Sequence, residues 1–291
     1  MLAVTGCGSS ADSSTTAATS ATNMTSATDA AAETDVVSAT DTASATDTTS
    51  ETAADLASTG GETRILVAAA ASLKYSFDEE LIPMFEAANP GIKVEGTYDS
   101  SGKLQTQIEE GLEADVFMSA AMKQMNALKD ENMVDADSIV ELLENKIVLI
   151  TSAENDSGMK TFEDIVNGGT IAIGDPDSVP AGQYAREALT TLGLWDQVEE
   201  KASLGTNVTE VLNWVAEGSA DAGIVYATDA AANERVKVVA QAPEGSLSKN
   251  VIYPVGIVTA SGKKEAAQTF VEFLQSDEAI AVFEKYGFTA N

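Results

Sequence analysis

The sequence of 291 residues contains no histidine and a single cysteine, Cys7. Without histidine, the chain can build neither a Ser-His or Cys-His nucleophile pair nor a histidine-ligated metal site. One cysteine excludes an internal disulfide and a thiolate zinc site. No apolar run approaches the roughly 18 residues of a membrane-spanning helix. These absences exclude several large classes of catalytic and metal-binding chemistry.

Basic residues are also scarce, at 16 against 46 acidic residues, for a formal net charge of −30. Nucleic acids and anionic lipid surfaces are bound through excess Lys and Arg, so neither is an expected partner. Residues 1–61 carry eight of the acidic residues and no basic one. Surface charges farther than about 8 Å from a site are largely screened at physiological salt. The acidic balance therefore does not exclude a small, buried oxyanion.

Residues 8–61 are mostly Ala, Ser and Thr, with very few large apolar side chains. Such a segment cannot bury enough surface to offset its conformational entropy, which predicts a disordered acidic tether. Just before it, Val4-Thr5-Gly6-Cys7 resembles a bacterial lipobox, whose cysteine is lipidated. We expect residues 1–7 to be the remainder of a signal peptide, because a complete one needs a basic region and a longer apolar stretch. The alternative is an incidental cysteine in a flexible tail.

From Glu62 onward, short apolar runs alternate with helical patterns, which predicts α/β architecture. Residues 64–69 form a buried-strand run, and Leu73, Phe77, Leu81 and Phe85 then recur every four residues, as on one face of a helix. We also expect a helix over residues 138–143. Strands separated by helices predict mainly parallel sheets that are covered on both faces.

Four strand-to-helix turns carry small, hydroxyl or capping residues, at residues 68–73, 99–103, 174–182 and 206–210. In open α/β sheets, ligands bind beyond the carboxyl ends of strands, where helix N-termini present free N–H groups. Each turn taken alone is more often plain helix capping. Four of them in one chain of this architecture predict a shared oxyanion-binding cleft.

These turns lie within a longer series of motifs that resembles the periplasmic molybdate-binding proteins, the receptor components of molybdate ABC transporters. The resemblance runs from about Ile65 to Phe288, and the Gly-Asp-Pro-Asp-Ser-Val-Pro-Ala-Gly segment is its most specific part. The motifs are Ala69-Ala-Ala-Ser72-Leu73, Tyr98-Asp-Ser-Ser101, Ala114-Asp-Val-Phe-Met-Ser119-Ala, Gly174-Asp-Pro-Asp-Ser-Val-Pro-Ala181-Gly-Gln-Tyr184-Ala, Gly223-Ile-Val-Tyr226 and Lys285-Tyr-Gly-Phe288.

The resemblance implies a two-lobed periplasmic-binding-protein fold of type II, with a crossed hinge and a ligand cleft between the lobes. Residues 62–144 and 257–291 would form the first lobe, and residues 145–256 the second. It also implies an exported monomer, either lipid-anchored on the outer face of the cytoplasmic membrane or periplasmic. Its partner would be a membrane permease of an ABC transporter.

The resemblance further implies a ligand shell of five residues. Ser72 and Ser101 would offer hydroxyl and backbone N–H groups from the first lobe. Ala181 and Val208 would offer backbone N–H groups from the second, and the Tyr226 hydroxyl would complete the shell. Molybdenum would be held only as molybdate, through these same residues, with tungstate as a second ligand and with no cofactor. No residue would be catalytic.

Every group in this proposed shell is a neutral hydrogen-bond donor, which suits a fully deprotonated tetrahedral dianion. Monohydrogen phosphate carries a proton that needs an acceptor, so it should be disfavoured. Sulfate meets the same requirement as molybdate, and cavity size must separate the two. Asp99 and Lys103 are not the small or neutral residues expected at their positions, and we expect both to point outward.

Three alternatives stay open at this point. A receptor for sulfate, another oxyanion or a small organic solute would use the same fold. Ser100-x-x-Lys103 matches the spacing of a serine hydrolase, although Ser246-x-x-Lys249 also matches and the companion motifs are missing. Asp175-x-Asp177 suggests a cation site, but it lacks the glycine and distal glutamate of a calcium loop and favours a turn.

Overall fold

The computed structural model describes residues 62–155 and 157–291. The expected tether at residues 8–61 and the lipobox ending at Cys7 lie outside these residues. Within the described ranges, no helix is long and apolar enough to cross a membrane.

Two β-sheets organise this part of the chain. The strand order is β11-β4-β10-β3-β1-β2 in the first sheet and β7-β6-β8-β5-β9 in the second. The strands are β1 (Thr63–Ala70), β2 (Ile92–Asp99), β3 (Val116–Met118), β4 (Val140–Asn145), β5 (Ile147–Ser152), β6 (Ile171–Gly174), β7 (Ala202–Gly205), β8 (Ala222–Tyr226), β9 (Val236–Gln241), β10 (Val251–Ile257) and β11 (Thr289–Ala290).

Helices connect most of the strands, and with the sheets they form two α/β lobes. The α-helices are α1 (Lys74–Ser76), α2 (Ile82–Ala88), α3 (Ser101–Glu109), α4 (Met122–Asp130), α5 (Pro180–Thr191), α6 (Trp195–Glu199), α7 (Val208–Ala216), α8 (Ala227–Ala231), α9 (Lys264–Leu274) and α10 (Asp277–Lys285). The 3-10 turns are Ala71–Leu73, Ala136–Ser138 and Phe162–Asn167, and a π-turn spans Phe77–Leu81.

The sheets are mixed rather than mainly parallel, which corrects the expectation from the sequence. Strand β1 runs parallel to β2 and β3, and β6 runs parallel to β7 and β8. Strand β10, however, runs antiparallel to β3 and β4, and β5 runs antiparallel to β8 and β9. The antiparallel strands are those at which the chain crosses between the sheets, from β4 to β5 and from β9 back to β10.

The second crossing lies earlier than the predicted lobe boundary at residue 256. Strand β10 begins at Val251 and pairs with β3 and β4. Residues 251–256 therefore belong to the first sheet. These residues form a fully buried strand of the first lobe and not, as expected, the end of the second.

The four apolar residues spaced every four positions after β1 are buried, as predicted. Leu73, Phe77, Leu81 and Phe85 are all inaccessible to solvent. On a regular α-helix of 3.6 residues per turn, a strict four-residue repeat drifts around the axis by about 40° per step. The π-turn at Phe77–Leu81 winds more widely and keeps the side chains on one face.

The prediction of a helix over residues 138–143 is wrong. A 3-10 turn, Ala136–Ser138, is followed by strand β4, which pairs with β10 on one side and β11 on the other. The helical pattern of apolar residues in this segment is weak, and pairing inside a buried sheet decides the conformation of the segment.

The two sheets direct several strand ends toward one place. Strands β1, β2, β6 and β7 end at Ala70, Asp99, Gly174 and Gly205, and each is followed by a turn that begins a helical segment. These are the four turns that the sequence singled out.

Candidate functional site

A small, tightly closed pocket lies between the lobes at these strand ends. All five residues predicted to bind a ligand line it, so the structure brings together groups that are up to 154 positions apart in the chain. Their role as ligand contacts stays a prediction. The five residues are Ser72, Ser101, Ala181, Val208 and Tyr226.

Two serines form the first-lobe wall of the pocket. Ser72 lies in the 3-10 turn after β1, and its hydroxyl is 2.9 Å from the Tyr253 hydroxyl. Ser101 is the first residue of α3 and is fully buried. Its hydroxyl oxygen accepts a hydrogen bond from the Ala120 N–H at 3.0 Å. The hydroxyl hydrogen of Ser101 is therefore still available for donation toward the pocket.

Two helix N-termini form the second-lobe wall. Ala181 follows Pro180 in the first turn of α5, and Val208 is the first residue of α7. Asn207 caps α7 by accepting a hydrogen bond from the Glu210 N–H at 3.0 Å. The first N–H groups of a helix have no intrahelical acceptor, and the helix end carries partial positive charge. Both helix starts therefore offer donors to the pocket in a favourable field.

Tyr226 is 1% exposed, and its hydroxyl has no hydrogen-bond partner among the described residues. Burial raises the pKa of Tyr226 well above its ordinary value, so the hydroxyl keeps its proton. Its ring packs edge-on against Tyr253, with the centroids 5.5 Å apart. A buried hydroxyl without a partner costs about 1–3 kcal/mol. An acceptor in the pocket would recover that energy.

Sequence reasoning missed a buried polar group behind this wall. The Asn145 side-chain amide donates to the Thr228 hydroxyl at 2.9 Å and to the Tyr253 hydroxyl at 3.2 Å. Asn145 ends β4 at the first crossing between the lobes, and Thr228 belongs to α8 of the second. The available signal was polar residues at the ends of apolar strands, since buried polar groups need partners.

Asp99 lines the pocket, contrary to the expectation that it points outward. One carboxylate oxygen accepts hydrogen bonds from the Ser100 N–H at 2.8 Å and from the Asn207 amide at 3.4 Å. The Lys103 ammonium, with a side chain 39% exposed, lies 3.4 Å from the same oxygen. These donors offset the negative charge that Asp99 brings to the edge of the pocket.

The residues of the other two candidate sites, the serine hydrolase pair and the cation site, have structural partners within the fold. Ser100 caps α3 by accepting a hydrogen bond from the Lys103 N–H at 3.4 Å, and the Lys103 ammonium contacts Asp99. The Asp177 N–H donates to the Asp175 carboxylate at 3.0 Å, as in an ordinary turn. Among the described residues, no cluster of His, Cys, Asp or Glu is arranged to hold a metal ion.

Comparisons with known proteins agree with this architecture. Residues 65–289 match the family model described as bacterial extracellular solute-binding protein. A protein of Bacillus subtilis described as an ABC transporter substrate-binding lipoprotein is 40% identical over 82% of this chain and 92% of its own. A molybdate-binding protein of Escherichia coli is 37% identical over 78% of this chain and 90% of its own. A solved structure from Clostridium difficile, described as the substrate-binding domain of a molybdenum ABC transporter, superposes with a TM-score of 0.61. It is 38% identical and covers 78% of this chain and 98% of its own.

Proposed function

The chain belongs to the family of bacterial extracellular solute-binding proteins, and from that premise we propose that it binds molybdate between its two lobes. Tungstate is the second ligand, because it is also a fully deprotonated tetrahedral dianion. The names of the similar proteins from Escherichia coli and Clostridium difficile support this choice of ligand.

The proposed ligand shell consists of neutral donors. The hydroxyl groups of Ser72 and Ser101, the N–H groups of Ala181 and Val208 and the Tyr226 hydroxyl would each donate to an oxygen of the anion. Hydrogen bonds to a charged acceptor are about twice as strong as neutral ones. The N-termini of α5 and α7 add a favourable field without placing a full positive charge in the pocket.

The observation that carries the proposal is the Tyr226 hydroxyl. It is buried, it lines the pocket, and it has no partner among the described residues. Buried polar groups in proteins are nearly always paired, and an exception calls for an explanation. An oxyanion oxygen in the pocket supplies the missing acceptor.

The same donors select against monohydrogen phosphate. Asp99 is the carboxylate that lines the pocket, and one of its oxygens already accepts from Ser100 and Asn207. A protonated phosphate oxygen needs an acceptor, which the five groups of the proposed shell do not supply, and this disfavours its binding. Sulfate satisfies the donors equally well, so the pocket must reject it by size.

The role that follows is capture and delivery outside the cytoplasm. The anion contacts both lobes only when they meet, so binding shifts the chain toward the closed form. A membrane permease of an ABC transporter would then receive the ligand from a monomeric receptor. We further propose that Cys7 carries a lipid anchor, on the strength of the Val4-Thr5-Gly6-Cys7 motif. No group in the pocket is arranged to make or break a bond, and we propose a receptor without catalytic activity.

A thermal-shift panel of molybdate, tungstate, sulfate and phosphate tests this function on the full chain. A ligand present at 100 times its Kd stabilises the native state by about 2.7 kcal/mol. For a domain of this size, that raises the Tm by roughly 5–11 °C. We expect this rise with molybdate and tungstate alone. The absence of any shift with molybdate would contradict the proposal, and a larger shift with sulfate would favour the sulfate receptor.

A further inference from the structure

The two lobes touch through their backbones at one side of the pocket. Gly102, the second residue of α3, donates its N–H to the carbonyl oxygen of Ser178 at 3.0 Å. Ser178 lies in the turn between β6 and α5, so this hydrogen bond joins the first lobe to the second.

Only glycine fits at this contact. A Cβ atom added to Gly102 would lie 2.3 Å from the carbonyl oxygen of Ser178 and 2.8 Å from its Cα atom. Ordinary van der Waals contacts of a Cβ atom begin at 3.4 Å. Both clashing atoms are backbone and cannot rotate away as a side chain would. A methyl group here would hold the lobes apart by roughly 1 Å, since carbon and oxygen atoms repel steeply at shorter range.

The contact lies next to pocket residues on both sides. Ser101 precedes Gly102 in α3, and Ala181 follows Ser178 by three residues. Any change in the distance between Gly102 and Ser178 therefore changes the distance between the donors of the two lobes. Side-chain hydrogen bonds also join the lobes, among them those from Asn207 to Asp99 at 3.4 Å and from Gln124 to Gln183 at 3.3 Å. These flexible partners can adjust, whereas the backbone contact cannot.

We propose that the Gly102–Ser178 backbone contact is the stop that sets how far the lobes close, and hence the size of anion that the pocket holds. This inference rests on the proposed function. Because the stop prevents closer approach, a smaller anion such as sulfate cannot draw the donors of both lobes onto itself. Gly102 is thus a positioning residue that acts through the pocket residues beside it.

The test is Gly102→Ala in the full chain, with Gly91→Ala as the matched control. A Cβ at Gly91 would meet no atom within 4 Å, and Gly91 lies between α2 and β2, outside the pocket. Alanine is a good helix former, so Gly102→Ala should fold with an unchanged Tm in the absence of ligand. We expect its affinity for molybdate by calorimetry to fall at least tenfold. The loss should appear in koff, because the encounter takes place in the open form. Small-angle scattering should show less contraction on adding molybdate than for the parent chain.

A second experiment uses cross-linking to measure lobe closure in the absence of a ligand. In a Cys7→Ser background, Asp99→Cys and Asn207→Cys place two thiols across the same side of the pocket, and a mild oxidant joins them as a disulfide only when the lobes meet, because a disulfide needs its Cβ atoms about 3.5–4.5 Å apart. Adding Gly102→Ala should lower the cross-linked fraction severalfold, and adding Gly91→Ala should not. An unchanged cross-linked fraction, or an unchanged affinity for molybdate in Gly102→Ala, would contradict the proposal that this contact limits lobe closure. If the parent chain binds no molybdate while Gly102→Ala still lowers cross-linking, the proposed ligand is wrong. The proposal that the Gly102–Ser178 contact limits closure is then still supported.

Discussion

The hydroxyl of Ser72 lies 2.9 Å from the hydroxyl of Tyr253, which also accepts a hydrogen bond from Asn145 at 3.2 Å. Ser72 lines the pocket, and Asn145 ends the strand at which the chain first crosses between the lobes. The pocket wall and the crossing thus share one buried hydrogen-bond network. The orientation of a proposed ligand group depends on a residue behind it.

Replacing Tyr253 with Phe should weaken molybdate binding several-fold, because the Ser72 hydroxyl loses the partner that orients it. Asn145 loses one of two acceptors, which should cost about 1 kcal/mol of stability. Calorimetry and thermal melting measure the two effects. Tyr286→Phe is the control, since the Tyr286 hydroxyl bonds to Glu79 outside the pocket. Equal affinity in both variants would show that Tyr253 plays no part in positioning Ser72.

Ser101→Ala should destabilise the ligand-free chain more than Ser72→Ala does. The Ser101 hydroxyl accepts a hydrogen bond from the buried Ala120 N–H, and its loss leaves that donor without a partner at a cost of about 1–3 kcal/mol. For a domain of this size, the Tm should fall by roughly 2–12 °C. After Ser72→Ala, the Tyr253 hydroxyl still accepts from Asn145, so the fall should be smaller. Equal melting of the two variants would contradict this ranking.

The turns that build the pocket were predictable because their signals are local. Small or capping residues directly after a strand mark a helix start, and strand ends of one α/β lobe meet at one edge of the sheet. The turns that contain Ser101, Ala181 and Val208 could be found in this way, whereas the choice of these residues as ligand groups came from the resemblance. Tyr226 also came from the resemblance, and no local signal marked it, since a tyrosine ending an apolar strand is usually part of the core.

Features that depend on contacts between residues far apart in the chain could not be predicted from the sequence. The contact of Tyr253 with Ser72 joins residues 181 positions apart. Residues 140–145 form a strand, β4, only because β10 returns from the second lobe to pair with them. Asp99 lines the pocket because Asn207 and Lys103 offset its charge, and Asn207 comes from the other lobe.

Replacing Tyr226 with Phe should affect binding and stability in opposite directions. The hydroxyl is buried without a partner among the described residues, so its removal should leave the ligand-free chain equally stable or slightly more stable. A hydrogen bond to a charged ligand contributes about 1.5–3 kcal/mol. Molybdate affinity should therefore fall by roughly 10- to 100-fold. A destabilised variant with unchanged affinity would assign the hydroxyl to the fold rather than to the ligand.

Asp229 should make stability depend on pH. It lies in α8 behind Tyr226, and burial raises its pKa from 3.8 to about 7. Because this folded-state pKa lies above the unfolded value, the native state holds the extra proton, and the contribution of Asp229 to stability falls as pH rises from about 4 to about 7.

Asp229→Asn removes this titration while keeping an oxygen that can accept from the Tyr226 N–H. The free energy of unfolding of the variant should equal that of the parent chain near pH 4. Above pH 7 it should be larger by up to about 4 kcal/mol. Urea unfolding of both chains across this range measures the difference, and the other carboxylates cancel between them. A difference that does not change with pH would contradict the account.

Calorimetric titration of the full chain with molybdate and with phosphate, at neutral pH and physiological salt, tests most directly whether a pocket of neutral donors selects a fully deprotonated oxyanion. We expect a micromolar or tighter Kd for molybdate and no measurable heat of binding for phosphate. Micromolar or tighter phosphate binding, or the absence of molybdate binding, would contradict it.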